Sequence, residues 1–276
     1  MKLLKYIRTG LTSGVILIHT WFWYFLRYSK HPEKYDIGHR YEITRKAAVG
    51  ILHHFRSDIQ YEGYENLAKA LEDKEHGTLI VGNHNSAFNI LDLMIFTRNR
   101  PVVFTAKKEL KKAPFLGKSV MSIDGLFLDR DDPRQAIEIL HKSVDVLKNG
   151  GIIAIYPEGT RNKDPLNTGI SPLHPGSFKS AVRAGANIVV VSDFGPFRYL
   201  EPNTNYRSNL IQISFSLFIP AEEVKKKSTQ ELAEICFDVL QKDNDRMKEK
   251  DKQYIAEGKH KHFSKNKWWK TPLLKK

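Results

Sequence analysis

His84 lies in Asn83-His84-Asn85-Ser86, directly after the apolar run Thr78-Leu79-Ile80-Val81-Gly82. An imidazole in that setting can take a proton near neutral pH. Asn89 and Asp92 follow within the same stretch and are its candidate partners. Three more blocks contain groups suited to an anionic substrate: Gly125-Leu126-Phe127-Leu128-Asp129-Arg130, Tyr156-Pro157-Glu158-Gly159-Thr160-Arg161 and Pro175-Gly176-Ser177-Phe178-Lys179. Arginine offers a planar fork of donors that fits phosphate. A chain turning into a helix at Ser177 would add backbone N–H donors. Each block is weak alone. Together they read as one histidine base among several phosphate-binding cations.

Such residues act in concert only if strands deliver them to one edge of a sheet. The sequence alternates accordingly. Apolar runs predict strands at Thr78–Val81, Val102–Thr105, Leu126–Asp129, Ile152–Tyr156 and Ile188–Val191, and a first strand at 59–65. Helices are expected at Thr44–Phe55, Phe88–Arg98, Ala113–Ile123 and Ser177–Ala184, with a long charged one from Thr229 to about Glu257. Pro133–Lys148 is bounded by a starting proline and by Gly150-Gly151, with Ile137, Leu140, Val144 and Leu147 as its apolar stripe. Leu210–Phe218 alternates apolar and polar residues, which predicts a half-exposed strand. The fold class is therefore α/β, a single mixed sheet covered by helices. Ligands of open α/β sheets bind at the carboxyl ends of the strands, where the four blocks fall.

The 276 residues carry 44 Lys+Arg against 31 Asp+Glu, a formal charge of +13, so anionic partners are expected. Nucleic acid is not among them, because neither zinc-finger spacing nor an RNA-recognition signature is present. The single cysteine, Cys236, excludes an intrachain disulfide and a cysteine-based zinc cluster, and suits a reducing compartment. Thr9 to Leu26 has no charged residue and ends in Trp21-Phe22-Trp23-Tyr24-Phe25, aromatics that favour the headgroup boundary. An uncleaved anchor, dipping into or crossing the bilayer, is expected there. The Lys-rich tail, Lys259 to Lys276, carries Phe263, Trp268 and Trp269 and is expected to bind anionic headgroups with its indoles inserted. The chain divides into N-terminal membrane-associated helices (1–58), an α/β catalytic domain (59–225) and a C-terminal helix with a basic tail (226–276).

From about Gly77 to Val191 the blocks, in this order and with Phe104 to Leu110 and Pro114 to Gly117 between them, resemble the glycerophospholipid acyltransferase family. The likeness is to bacterial 1-acyl-sn-glycerol-3-phosphate acyltransferases. It implies that His84 is the general base that deprotonates the free hydroxyl of a lysophosphatidic acid. That hydroxyl would attack the thioester of acyl-CoA or acyl-carrier protein and give phosphatidic acid. Glu158, Gly159, Thr160 and Arg161 match the block associated with the acceptor, Arg161 placed at its phosphate. Lys107 and Arg130 match other basic positions, and Lys179 belongs to the Gly176–Lys179 block. No metal or other cofactor is implied, since the thioester is already activated. Membrane phospholipid is an expected partner, and the expected location is the cytoplasmic face of the cell membrane.

The family has Asp where this chain has Asn89. An amide can orient an imidazole but cannot offset an imidazolium with a full charge. Three alternatives follow. Asp92, one helical turn beyond Asn89, substitutes for the carboxylate; Asn89 suffices for a slower enzyme or one with another lysophospholipid or glycerol-phosphate acceptor; or the chain is a non-catalytic lipid-binding relative.

Overall fold

The structure is a computed structural model and describes residues 11, 13–97, 100–129, 132–200 and 206–270. Seven strands form one sheet in the order β1-β7-β6-β2-β5-β3-β4. They are β1 (Ser57–Glu62), β2 (Thr78–Gly82), β3 (Val102–Lys107), β4 (Leu126–Leu128), β5 (Ile152–Ile155), β6 (Asn187–Phe194) and β7 (Asn209–Ile219). Only β6 and β7 pair antiparallel; β2 runs parallel to both β5 and β6. The ends of β2, β3, β4, β5 and β6 therefore open on one edge, which positions the site.

The central strands are short, β-branched and buried on both faces. One apolar layer joins Ile80, Ala154, Val189 and Ile213 with the Asn89–Thr97 helix, and the opposite layer joins Leu79, Val81, Ile153 and Val190 with Phe178, Leu232 and Cys236. The Cys236 thiol is buried, and burial pushes it up to about 12, which suits packing rather than reactivity. The Thr229–Ala256 helix opens with a capping box between Ser228 and Glu231. Within it Asp251 accepts both guanidinium donors of buried Arg198 at 2.5 Å. This pair ties the long helix to the loop that follows β6.

Four expectations are corrected. β7 is buried along most of its length, since β1 and β6 flank it and helices cover both faces; its alternation reflects serines bonded inside, with Ser216 bonded to Asp243. Ile137 is exposed on the Pro133–Lys148 helix, while Val144 and Leu147 face the core. The chain from Ile37 to His54 is one helix, capped by Asp36 accepting from His39 N–H, so the expected linker from Pro32 to Gly38 is mostly structured. The C-terminal tail does not present both indoles for insertion. Trp268 is buried and donates its indole N–H to Ser57 O (2.9 Å), Trp269 packs on His53, and Asn266 donates to Ile59 O (2.6 Å). The segment to residue 270 thus covers the exposed edge of β1, where unpaired backbone groups would otherwise face water. Residues 271–276 lie outside the described residues.

At the other end the aromatic run forms a wide helical turn at Trp21–Phe25. Phe25 and Tyr28 are buried, and Trp21 donates to Pro114 O (2.8 Å) and packs on Phe115. No helix among the described residues is long and apolar enough to cross a membrane. Thr9 and Gly10, at the start of the expected anchor, lie outside the described residues.

Candidate active site

β2 ends at Gly82, and the following loop carries His84 to the sheet edge. A Cβ on Gly82 would come within 3.0 Å of the Tyr156 ring, so glycine lets that ring in. Tyr156, after β5, then stacks on the His84 imidazole at 4.6 Å and 21°. Glu158 fixes the loop from below. Its buried carboxylate accepts from the N–H of His84 (2.6 Å) and of Ser171 (3.0 Å). Burial raises its pKa although these two donors pull the other way. Gly159 turns the chain with φ +72°, its Cα facing the His174 ring. Asn162 N–H closes the circuit by donating to His84 O at 2.7 Å. The Glu158–Asn162 turn and the His84 loop are thereby one rigid unit, with Thr160 and Arg161 exposed on it.

Asn89 opens the next helix, and its orientation is set by what surrounds it. Its Oδ1 accepts from the N–H of Ser86 (2.8 Å) and of Asn85 (3.2 Å), and lies 3.4 Å from His84 Nδ1. Its Nδ2 donates to Asn85 Oδ1 (3.1 Å) and to Asp193 Oδ2 (2.8 Å). A flipped amide would set N–H against N–H on one side and oxygen against oxygen on the other. The Oδ1 facing His84 favours the tautomer with the proton on Nδ1, which leaves the lone pair on Nε2 to act as base.

Asp193 lies beyond the strand that the sequence predicts, which ends at Val191. β6 instead runs on to Phe194, level with the His84 loop. Asn83 pins it there: Asp193 N–H donates to Asn83 Oδ1 (2.8 Å) and Asn83 Nδ2 donates to Asp193 O (2.9 Å). An acid two residues beyond a run of buried valines is the available signal, because a buried carboxylate needs partners.

Asp92 is fully buried, and its oxygens receive no N–H or O–H donor in the described geometry; they face Asp193 and Tyr199 rather than His84. The expectation that Asp92 itself contacts the histidine is therefore corrected: one helical turn carries it inward, behind Asn89. Burial raises both carboxyls, Asp193 to about 7, and Asp92 is also held up by the Asp193 charge beside it. Asp193 accepts a bond from Asn89 and ionises first, while Asp92 keeps its proton and can donate it to the Asp193 carboxylate. A shared proton satisfies oxygens that two carboxylates would leave repelling one another.

The other expected site residues are less tightly joined. Lys107 ends β3 on the same edge, exposed and 4.0 Å from Glu109 Oε2. Lys179 is exposed and begins a six-residue helix after the Pro175–Phe178 turn, which His174 N–H ties to Pro157 O at 2.9 Å. Among the described residues no carboxylate pairs with Arg161 or Lys179. Arg130 lies outside the described residues.

Fold and site together define an α/β protein with a buried polar cluster around a histidine at the carboxyl edge of its sheet. The chain matches the family described as Acyltransferase over residues 58–192. It is 25% identical over 181 residues to the chloroplastic 1-acyl-sn-glycerol-3-phosphate acyltransferase BAT2 of Brassica napus, covering 66% of this chain and 48% of that one. The 1-acyl-sn-glycerol-3-phosphate acyltransferase of Borreliella burgdorferi is 30% identical over 148 residues, 54% of this chain and 56% of its own. The chain thus spans about half the length of these curated relatives. The crystal structure of the 1-acyl-sn-glycerophosphate acyltransferase PlsC from Thermotoga maritima superposes with a TM-score of 0.67. It covers 90% of this chain and 98% of that one at 21% identity, a likeness of fold.

Proposed function

We propose that the protein transfers an acyl chain from an acyl thioester, acyl-CoA or acyl-carrier protein, to the free hydroxyl of 1-acyl-glycerol-3-phosphate, yielding phosphatidic acid. The observation that carries this reading is His84, oriented through Nδ1 by Asn89 and held beside the exposed Arg161 by the Asn162–His84 bond. Nε2 takes the hydroxyl proton as that oxygen attacks the thioester carbonyl. The tetrahedral intermediate collapses, the C–S bond breaks, and the thiolate leaves with the proton returned by His84. Arg161 holds the acceptor phosphate, and Lys107, Arg130 and Lys179 add positive charge for phosphates of acceptor or donor. The proposal needs no metal, because positioning, one proton transfer and charge stabilisation suffice for an activated thioester.

The reaction is placed at a membrane surface. Leu11, Val15, Ile18 and Phe22 recur at helical spacing and are all more than half exposed, and Phe115 and Leu116 are exposed next to Trp21. Such a stripe lies in the interface with its apolar side in the lipid, while the +13 chain is drawn to anionic headgroups. The test is acceptor choice by the detergent-solubilised protein with labelled acyl-CoA. Lysophosphatidic acid should be acylated fastest, ahead of glycerol 3-phosphate and lysophosphatidylcholine. Preferred acylation of either alternative, or no labelled product from any acceptor, would overturn the reading.

A further inference from the structure

We propose that Asp193, acting through the Asn89 amide, supplies the negative charge that supports His84 as a base. Asp193 is a positioning residue, two hydrogen bonds from the imidazole, and this role rests on the acyl-transfer reading above. Three observations converge on it. The Asn89 amide is bonded at both ends, Oδ1 toward His84 Nδ1 and Nδ2 into Asp193 Oδ2. Asp193 is held level with Asn89, since its backbone is locked by Asn83 and its carbonyl also accepts from Asn85 Nδ2 at 2.5 Å. The contact is also buried: Asn89 and Asp193 are 2% and 6% exposed, and the cavity beside them and Tyr156 measures about 10 Å³.

In that enclosure a carboxylate accepting from Nδ2 polarises the amide and makes Oδ1 a stronger acceptor for Nδ1–H. When His84 becomes an imidazolium, the charge that offsets it sits one residue deeper than a direct histidine–carboxylate pair would put it. Asp92 has the complementary part: protonated, it donates to Asp193 and lets a single negative charge reside there. The groups facing Asp193 are Asn89 and Asp92 from the helix, Tyr156 after β5 and Tyr199 after β6. Both tyrosine hydroxyls are raised, first by burial, and stay neutral. The same geometry explains the amide at position 89. With aspartate there, an oxygen would meet Asp193 Oδ2 at the 2.8 Å now spanned by a hydrogen bond, crowding three carboxyls together.

The experiment moves the charge and reads the histidine directly. The His84 ring is titrated by NMR in the full-length, detergent-solubilised protein labelled at histidine, with its signals assigned by loss in His84→Gln. Acyl transfer to lysophosphatidic acid is measured on the same samples. Asp193→Asn should lower the His84 titration midpoint by roughly half a unit, as expected for an opposite charge removed from just beyond direct contact. It should cut kcat about tenfold or more while both KM values stay within about twofold. The exchange Asn89→Asp with Asp193→Asn returns one charge to the cluster, directly at the ring, and should restore midpoint and kcat together. An unchanged His84 midpoint in folded Asp193→Asn overturns the proposal, as does an exchange variant that folds but restores neither quantity. Because the titration does not depend on turnover, a protein that shows the shift but transfers no acyl group would overturn the activity and leave the Asn89–Asp193 link standing. Should Asp193→Asn fail to fold, the exchange variant decides: a midpoint in it below that of wild type contradicts the link.

Discussion

Asn89 can hold an imidazole ring but has no charge of its own, so what lies behind it decides how His84 works. The amide stands where the family that the sequence resembles has a carboxylate, and among the alternatives the sequence offers Asp92 as a substitute because helical spacing is local. Asp193 is 104 residues away in the chain and reaches the amide only through the parallel pairing of β2 with β6. No spacing rule reports such a pairing. Its raised pKa has a consequence for stability. A carboxyl near 3.8 when unfolded and about 7 when folded favours the folded state fully at low pH, and this contribution is lost as pH rises from about 4 to about 7. Compared with Asp193→Asn, the wild type should therefore lose melting temperature across that range and run parallel to the variant above it. A constant difference from pH 4 to 8 in thermal melts would contradict this. On the exposed turn, Arg161→Ala should raise KM for lysophosphatidic acid about tenfold to a hundredfold, the worth of a charged hydrogen bond. Its kcat should change far less; steady-state kinetics with the acceptor varied would show the opposite pattern if Arg161 served the chemical step.

At the level of elements, the strands that frame the site were legible because their apolar runs are short, β-branched and bounded by turn residues. Pro133–Lys148 was recovered with its ends as predicted, since a proline, an Asp132 cap and paired glycines mark them chemically. Misreadings fell where long-range packing overrides a local pattern: the alternation in β7 hides serines inside the protein, and the tail's tryptophans are taken up by the sheet. Trp268 follows lysines and precedes another indole, which locally reads as a membrane anchor, yet it fills the space beside β1 and bonds to Ser57 O. Trp268→Ala should consequently cost about 3–5 kcal/mol of stability, as a large aromatic removed from a core does. Chemical denaturation would check this. A variant of unchanged stability with weakened vesicle binding would restore the anchoring role to that indole.

Taken whole, the molecule gathers its chemistry at one edge of the sheet and leaves an apolar stripe exposed on its N-terminal helix. Composition alone pointed to an anionic surface, and the charge-free run near the N-terminus to a lipid one. What the sequence could not fix was how the aromatic run divides: Trp21 and Phe25 turn toward the protein, whereas Phe22 and Trp23 face outward. If the outward residues enter the lipid boundary, Phe22→Ser should weaken binding to anionic phospholipid vesicles about tenfold or more, given 1.5–3 kcal/mol for each fully buried side chain of this size. Co-sedimentation at high salt isolates that apolar share from the electrostatic one, and equal binding of the two proteins there would refute it.

The most direct test of the account is the initial rate of phosphatidic acid formation from lysophosphatidic acid and labelled acyl-CoA, compared between wild type and His84→Ala at pH 8. Wild type should turn over, and removing the base should cost about 10²–10⁴-fold with the fold intact. A wild type without turnover, or a His84→Ala protein as active as wild type, would contradict it.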